Sequence, residues 1–165
     1  MTTITLKGNP IETRGSLPAL GTTAPPLRLC GPDLVDVTLD AYAGHKKVLN
    51  IFPSLDTGVC AMSVRRFNTE AAAHPDVFVL NVSADLPFAH RRFCAAEGID
   101  KAKSLSTFRS TFAADYGLDL VTGPMTGLCS RCVLVLDADN RVIYQQQVPE
   151  IGQEPDYAAA IAALG

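Results

Sequence analysis

Two short, mainly apolar runs, each followed by a segment with helical spacing, constrain the fold of this chain more than any other feature. The runs are residues 47–52 and 77–82, and their length and apolar content are typical of parallel strands that are buried on both faces. After the first run, Cys60, Val64 and Phe67 recur at the spacing of one helix face. The sequence therefore predicts a strand, a helix and a second strand parallel to the first.

The segments around this unit predict a layered α/β fold. Residues 88–97 have helical spacing and end at Gly98, so they predict a second helix. Residues 133–136 and 142–144 are β-prone and flank a polar turn, which predicts an antiparallel pair. This order favours a mixed central sheet flanked by helices, as in the thioredoxin-like fold. Further elements are expected at 4–6 and 11–13 (an N-terminal β-hairpin), 27–30 and 35–39 (strands), 40–44 (a helical turn), 107–116 (a helix) and 156–164 (a final helix).

The composition excludes several classes of protein. Hydrophobic residues make up 47% of the 165 and charged residues 19%, so the chain can bury a core and is not a disordered segment. This length favours one domain spanning residues 1–165. The net charge of -3 argues against nucleic acid or anionic membranes as partners. No apolar run approaches the roughly 18 residues of a membrane span and the start lacks a signal-peptide pattern, so we expect a cytoplasmic protein.

The loop between the first predicted strand and its helix carries the most informative chemistry. It contains Pro53, Thr57 and Cys60 at the carboxyl end of a strand, where open α/β sheets bind ligands. If Thr57 is the N-cap, Cys60 is the third helical residue, and the unpaired N–H groups and dipole of the helix favour a thiolate there. Asp56 would oppose this effect, so we expect it to point away. Ser63 stands where a CxxC motif has its second cysteine, which excludes dithiol exchange within the motif.

Several segments resemble the bacterial thiol peroxidase subfamily of peroxiredoxins. Residues 50–60, with the sequence NIFPSLDTGVC, are similar to the active-site segment of that subfamily. The resemblance covers nearly the whole chain and implies a thioredoxin-like fold. Other similar segments follow in the same order and spacing at 83–89, 92–94, 105–109, 123–124 and 154–157.

The resemblance implies a role for each of five residues. Cys60 would be the peroxidatic cysteine and Cys94 the resolving cysteine, joined during turnover in an intramolecular redox disulfide. Thr57 would be a hydrogen-bonding partner in the site, Pro53 a shield over the substrate pocket, and Arg131 the guanidinium beside the sulfur. The family also implies a hydroperoxide substrate, thioredoxin as the reductant, a homodimer, and no cofactor or metal.

Each assigned residue also has a simpler interpretation. Arg131 could be a solvated cation at a strand edge, and Thr57 could serve only as a helix cap. Pro53 could simply end the strand, and Cys60 and Cys94 could be small buried residues within helices. These alternatives predict ordinary packing or solvation at each position, without redox chemistry.

Two other functions fit the same sequence. A monothiol exchange protein would use Cys60 and Ser63 on glutathione adducts and would not need Cys94. A non-catalytic thioredoxin-like binding module would use the loop at residues 53–58 and would leave the Cys60 thiol unperturbed. Consumption of a hydroperoxide separates the peroxidase from both.

The remaining cysteines and histidines predict no metal site. Five cysteines are an odd number, which argues against a structural disulfide framework. Cys129 and Cys132 form a CxxC without the second pair of ligands that zinc needs, and in a strand they would lie on opposite faces. Together with Cys30 they are expected to be packing residues, and an additional redox role for Cys129 and Cys132 beside Arg131 is the open alternative. The histidines share no metal-ligand spacing and are expected at the surface or at helix ends: His45, His74 and His90.

Overall fold

A mixed sheet of seven strands lies at the centre of the computed structural model, which describes residues 1–165. The strands are β1 Thr3–Leu6, β2 Asn9–Glu12, β3 Arg28–Cys30, β4 Asp36–Thr38, β5 Lys46–Ile51, β6 Val77–Ser83, β7 Lys103–Ser106, β8 Cys132–Leu136 and β9 Val142–Gln147. The helices are α1 Gly58–Ala73, α2 Pro87–Glu97, α3 Phe112–Asp115 and α4 Tyr157–Ala162, with a 3-10 turn at Leu39–Tyr42. None of the helices is long and apolar enough to span a membrane.

The sheet has the strand order β4-β3-β7-β6-β5-β8-β9. β5, β6 and β7 run parallel, whereas β8 pairs antiparallel with β5 and β9 pairs antiparallel with β8. β1 and β2 form a separate antiparallel hairpin. The predicted mixed sheet and N-terminal hairpin are therefore confirmed, and the arrangement is thioredoxin-like.

Alternate residues of the central strands face two different apolar clusters. In β5, Leu49 and Ile51 belong to a cluster of 18 buried residues, whereas Val48 belongs to a separate cluster of 9. α1 and α4 contribute Phe67 and Ala160 to the smaller cluster. Because β5 is covered on both faces, all its residues from Lys47 to Ile51 are buried, and apolar residues do not alternate with exposed polar ones.

Two elements between α2 and β8 differ from the prediction. The helix expected over 107–116 is restricted to the four residues of α3, because Arg109 has a φ of 56°, which a right-handed helix cannot include. β7 was absent from the sequence prediction, because a lysine and two serines in four residues hide its strand pattern. Its formation depends on parallel pairing with β6 and on a single pair with β3 at Cys30 and Ser106.

Two further predictions about side chains are wrong. His90, expected at the surface or a helix end, is a fully buried residue of α2. Its Nε2 lies 3.0 Å from Ser83 Oγ, and burial lowers its pKa to about 4. Cys129 and Cys132, expected on opposite faces of a strand, belong to one apolar cluster, because Cys129 lies in irregular chain before β8. Both are buried, as is Cys30, in agreement with a packing role.

We expect Phe67→Ala to destabilise the protein by about 3 to 5 kcal/mol, because it removes a fully buried ring from the cluster under α1. The ring also packs edge-on against Tyr157 of α4, with centroids 5.2 Å apart. Met62→Ala shortens an apolar side chain on the exposed face of the same helix, at a position that is 44% exposed, and it serves as the control. Urea unfolding measures both variants, and equal losses of stability would contradict the core assignment.

Candidate active site

The end of β5 and the start of α1 position Cys60. The chain leaves the sheet after Ile51, and Thr57 has the extended backbone of an N-cap, with φ -111° and ψ 144°. Cys60 is therefore the third residue of α1, as predicted, and its side chain is fully buried. The Thr57 hydroxyl donates to the Ser54 carbonyl at 3.1 Å and makes no capping bond to the helix. The Asp56 carboxylate is exposed and lies 3.7 Å from the Arg92 guanidinium.

Arg131 reaches the sulfur from the neighbouring strand. Cys132, the first residue of β8, pairs with Ile51 at the end of β5, so Arg131 lies beside the loop that carries Cys60. Its Nη2 donates to Cys60 Sγ at 3.2 Å, and its Nε donates to the Ile151 carbonyl at 2.8 Å. Arg131 is only 3% exposed, so a solvated strand-edge cation is excluded. Its Nη1 is buried without a hydrogen-bond partner.

A cavity of about 180 Å³ lies next to this arginine. Its lining includes Pro53, Thr57 and Arg131, so three of the predicted site residues share one cavity wall. Sequence reasoning missed the rest of the wall, since most of it comes from the hairpin and from loops that are distant along the chain and carry no local motif. Those residues are Leu6, Gly58, Val59, Met125, Ile151 and Gly152.

Cys94 lies in the last turn of α2 and is only partly buried. Its Sγ lies 3.0 Å from Ser104 Oγ on β7. Burial raises the pKa of the Cys94 thiol, and the hydrogen bond to Ser104 opposes that effect. Both Cys94 and Cys60 are free thiols, so the structure holds them in separate intact helices and does not join them.

The Asp85 carboxylate connects the loop that precedes α1 to the start of α2. It accepts hydrogen bonds from Ser54 Oγ at 2.8 Å, from the Leu55 N–H at 2.8 Å and from Ser83 Oγ at 2.5 Å. Ser83 Oγ is in turn 3.0 Å from His90 Nε2 on α2. Sequence reasoning missed this network, although Asp85 lies within one of the segments on which the family resemblance rests. The network restrains the two segments that carry Cys60 and Cys94.

The thiols of Cys129 and Cys132 lie in surroundings that suppress their ionisation. Burial raises the pKa of Cys129 to about 12 and raises that of Cys132 as well. A thiol held in its neutral form is a weak nucleophile. No group of three or more His, Cys, Asp or Glu side chains is arranged to hold a metal ion.

The sheet is thioredoxin-like, and a buried cysteine at the start of a helix contacts a buried arginine. These features define the class of proteins that carry out thiol redox chemistry. The family model described as Redoxin matches residues 19–161. The chain is 52% identical to proteins named thiol peroxidase from Mycobacterium tuberculosis and Mycobacterium bovis, over 100% of this chain and 99% of each relative. The chain therefore belongs to the Redoxin family, as a peroxiredoxin-type thiol peroxidase.

Solved structures agree with this assignment. A peroxiredoxin-like protein from Aquifex aeolicus superposes with a TM-score of 0.93 at 34% identity, covering 98% of this chain and 95% of that one. A thiol peroxidase from Chromobacterium violaceum superposes with a TM-score of 0.91 at 20% identity, covering 99% and 96%, and supports the fold alone.

We expect Arg131→Ala to slow the oxidation of Cys60 by hydrogen peroxide by about 100-fold, because it removes a preorganised donor from the reacting sulfur. It should also slow the alkylation of Cys60 by iodoacetamide, because the guanidinium that favours the reactive thiolate is gone. Arg66→Ala removes the same charge from the exposed face of α1 and should leave both rates near wild type. A wild-type peroxide rate in Arg131→Ala would remove Arg131 from the site.

Proposed function

We propose that this protein reduces hydrogen peroxide and organic hydroperoxides with Cys60 as the peroxidatic cysteine and Cys94 as the resolving cysteine, and that thioredoxin restores the dithiol. The contact between Arg131 Nη2 and Cys60 Sγ carries the proposal. A guanidinium at 3.2 Å and the first turn of α1 both favour a thiolate, which is the form that attacks peroxides.

The surroundings of the sulfur support a peroxide as the substrate. The buried Nη1 of Arg131 has no partner in the protein, so it can donate to a peroxide oxygen and stabilise the charge that develops on the leaving oxygen. Thr57 lines the same cavity, and its hydroxyl, which donates to Ser54, can accept a hydrogen bond from the substrate, while Pro53 limits the access of water. The apolar wall of the cavity accommodates the organic part of an alkyl hydroperoxide.

The proposed cycle has three balanced steps. The Cys60 thiolate attacks one peroxide oxygen, the O–O bond breaks, and water or an alcohol leaves after taking up a proton, so that Cys60 becomes a sulfenic acid. The Cys94 thiol then attacks the Cys60 sulfur, and water leaves as the disulfide forms. The dithiol of thioredoxin reduces this disulfide by thiol exchange and is itself oxidised to a disulfide.

The two alternative functions receive less support from the structure. Cys60 has no exposed surface, so a bulky glutathione adduct cannot approach its sulfur in this conformation. Ser63 Oγ donates to the Cys60 carbonyl at 2.8 Å and is buried, so it acts within the helix rather than on a substrate. A simple binding module would not require an arginine buried against the thiol.

Cys60→Ser should abolish peroxide reduction in an assay that follows NADPH consumption with thioredoxin and thioredoxin reductase. Cys94→Ser should retain one stoichiometric reaction with peroxide and lose turnover, because only Cys60 attacks the peroxide while Cys94 completes the disulfide. The sulfenic acid should persist in Cys94→Ser and be trapped by a dimedone reagent. Cys30→Ser serves as the control, since that thiol is buried in β3 and should be dispensable.

Two outcomes would contradict this scheme in different ways. Peroxide consumption by Cys60→Ser would show that another group reacts with the peroxide. Normal turnover in Cys94→Ser would reject Cys94 as the resolving residue while leaving Cys60 in place, and Cys129 and Cys132 would be tested next.

We also expect oxidation to unfold parts of two helices. A disulfide needs Cα atoms about 4.4 to 6.8 Å apart with converging Cβ atoms, which residues within separate intact helices rarely satisfy. Hydrogen exchange should show lower protection of residues 58–64 and 90–96 in the oxidised protein than in the reduced one, with β5 unchanged as an internal control. Equal protection of these segments in both states would contradict the expected opening, which would also expose the disulfide to thioredoxin.

We further propose that residues 1–165 form a single peroxiredoxin domain that assembles as a homodimer in the cytoplasm. The family relationship supports the dimer, as do the exposed apolar side chains of Leu86, Phe88 and Phe108. Ser106 Oγ donates to the Asp85 carbonyl at 2.5 Å, which keeps the segments that carry these side chains close together. An apolar patch of this kind is a suitable interface between subunits.

A further inference from the structure

We propose that Glu150 is a positioning residue that fixes the Arg131 guanidinium against Cys60 by binding the tip of the N-terminal hairpin. The inference rests on the proposed function, since it assigns a support to the arginine of that site. Glu150 follows β9 and does not itself contact the sulfur. Glu150 acts through the backbone of its neighbours in the chain.

The Glu150 carboxylate collects four hydrogen bonds from two distant parts of the chain. Its Oε2 accepts from Thr5 Oγ1 at 2.7 Å and from the Gly8 N–H at 3.1 Å. Its Oε1 accepts from the Lys7 N–H at 3.0 Å and from the Gly152 N–H at 3.2 Å. The carboxylate therefore ties the turn between β1 and β2 to the segment after β9.

The hairpin turn has a backbone shape suited to this carboxylate. Lys7 and Gly8 have φ values of 52° and 79°, and successive residues in this region direct their N–H groups towards one point. A lysine with positive φ is disfavoured in isolation. The carboxylate accepts from both N–H groups, so it stabilises the positive φ of Lys7.

The same segment holds the guanidinium. The Ile151 N–H donates to the Thr5 carbonyl at 2.9 Å, and the Thr5 N–H donates to the Pro149 carbonyl at 2.8 Å, so β1 and the residues around Glu150 are paired. The Ile151 carbonyl accepts from Arg131 Nε at 2.8 Å. The guanidinium makes one other hydrogen bond, to the Cys60 sulfur, so the Ile151 carbonyl sets its orientation.

Only an ionised carboxylate satisfies this arrangement. All four partners donate, and the NH₂ group of a glutamine has no lone pair with which to accept. The hydrogen bonds lower the pKa of Glu150 to about 2, and the bond from Thr5 has the largest effect. The group therefore stays charged near neutral pH, and its stabilising contribution is lost only as the pH falls below its unfolded pKa towards 2.

A double-mutant cycle tests whether Glu150 acts through Arg131. The rate constant for oxidation of reduced Cys60 by hydrogen peroxide is measured by competition with a haem peroxidase. The four proteins are wild type, Glu150→Gln, Arg131→Ala and the double variant. Glu12→Gln removes a charge from the same hairpin, at a carboxylate that holds no part of the site, and should react like wild type.

We expect Glu150→Gln to lower the rate constant about tenfold in the wild-type background, because the arginine is displaced from the sulfur. In the Arg131→Ala background the same substitution should change the rate constant by less than about twofold, because there is no guanidinium left to position. A purely structural role would lower thermal stability without producing this non-additivity.

The inference would be overturned if Glu150→Gln lowered the rate constant equally in the wild-type and Arg131→Ala backgrounds, or lowered it in neither background. Either result would leave the proposed function intact. A wild-type protein that does not react with peroxide would overturn both. If Glu150→Gln does not fold by circular dichroism, Thr5→Val replaces it, since it removes one of the four donors and keeps the carboxylate. Thr5→Val should then lower the rate constant about threefold, again only when Arg131 is present, and an unchanged rate would overturn the inference.

Discussion

The hydrogen bond between the Arg131 guanidinium and the Cys60 sulfur is the interaction on which the site depends. Both groups are almost completely buried, and a buried cation is tolerated only where its donors are matched or can bind an anion. Of the three nitrogen atoms of the guanidinium, Nε donates to the Ile151 carbonyl, Nη2 donates to the sulfur, and Nη1 is buried without a partner in the protein. The pairing of β5 with β8 brings the two side chains together, so the site is a consequence of the sheet topology.

The protein contains five thiols, and their surroundings separate one from the others. Burial among apolar side chains holds Cys129 and Cys132 in the neutral form. Cys94 is also shifted towards the neutral thiol, which suits a residue that reacts second in the proposed cycle. Cys60 alone combines burial with the start of a long helix and a guanidinium donor. Cys60 differs from the other buried thiols in hydrogen bonding and in the nearby charge, because burial by itself would suppress the reactivity of every buried thiol.

Two carboxylates hold the irregular segments around the site. Asp85 binds the loop that leads into α1 and, through Ser83 and His90, restrains α2. Glu150 binds the hairpin turn next to the backbone that orients Arg131. Loops have few apolar contacts of their own, so their positions depend on such hydrogen bonds. Segments held this way can also be released at modest cost, which fits a reaction in which two helices must open.

Local patterns in the sequence determined the main strands and helices and the position of the reactive cysteine, because these features depend on neighbouring residues along the chain. The apolar runs predicted β5 and β6, and the strand-to-helix loop placed Cys60 in the first turn of α1. The family resemblance supplied Cys94 and implied that Arg131 lies beside the sulfur, but it did not supply the burial of Arg131 or its hydrogen bond to Ile151. Polar β7, buried His90 and the cavity wall could not be predicted, since each depends on contacts between distant segments. The tertiary structure alone decided which donors reach the sulfur, because strand register, and not sequence spacing, sets the distance from Arg131 to Cys60.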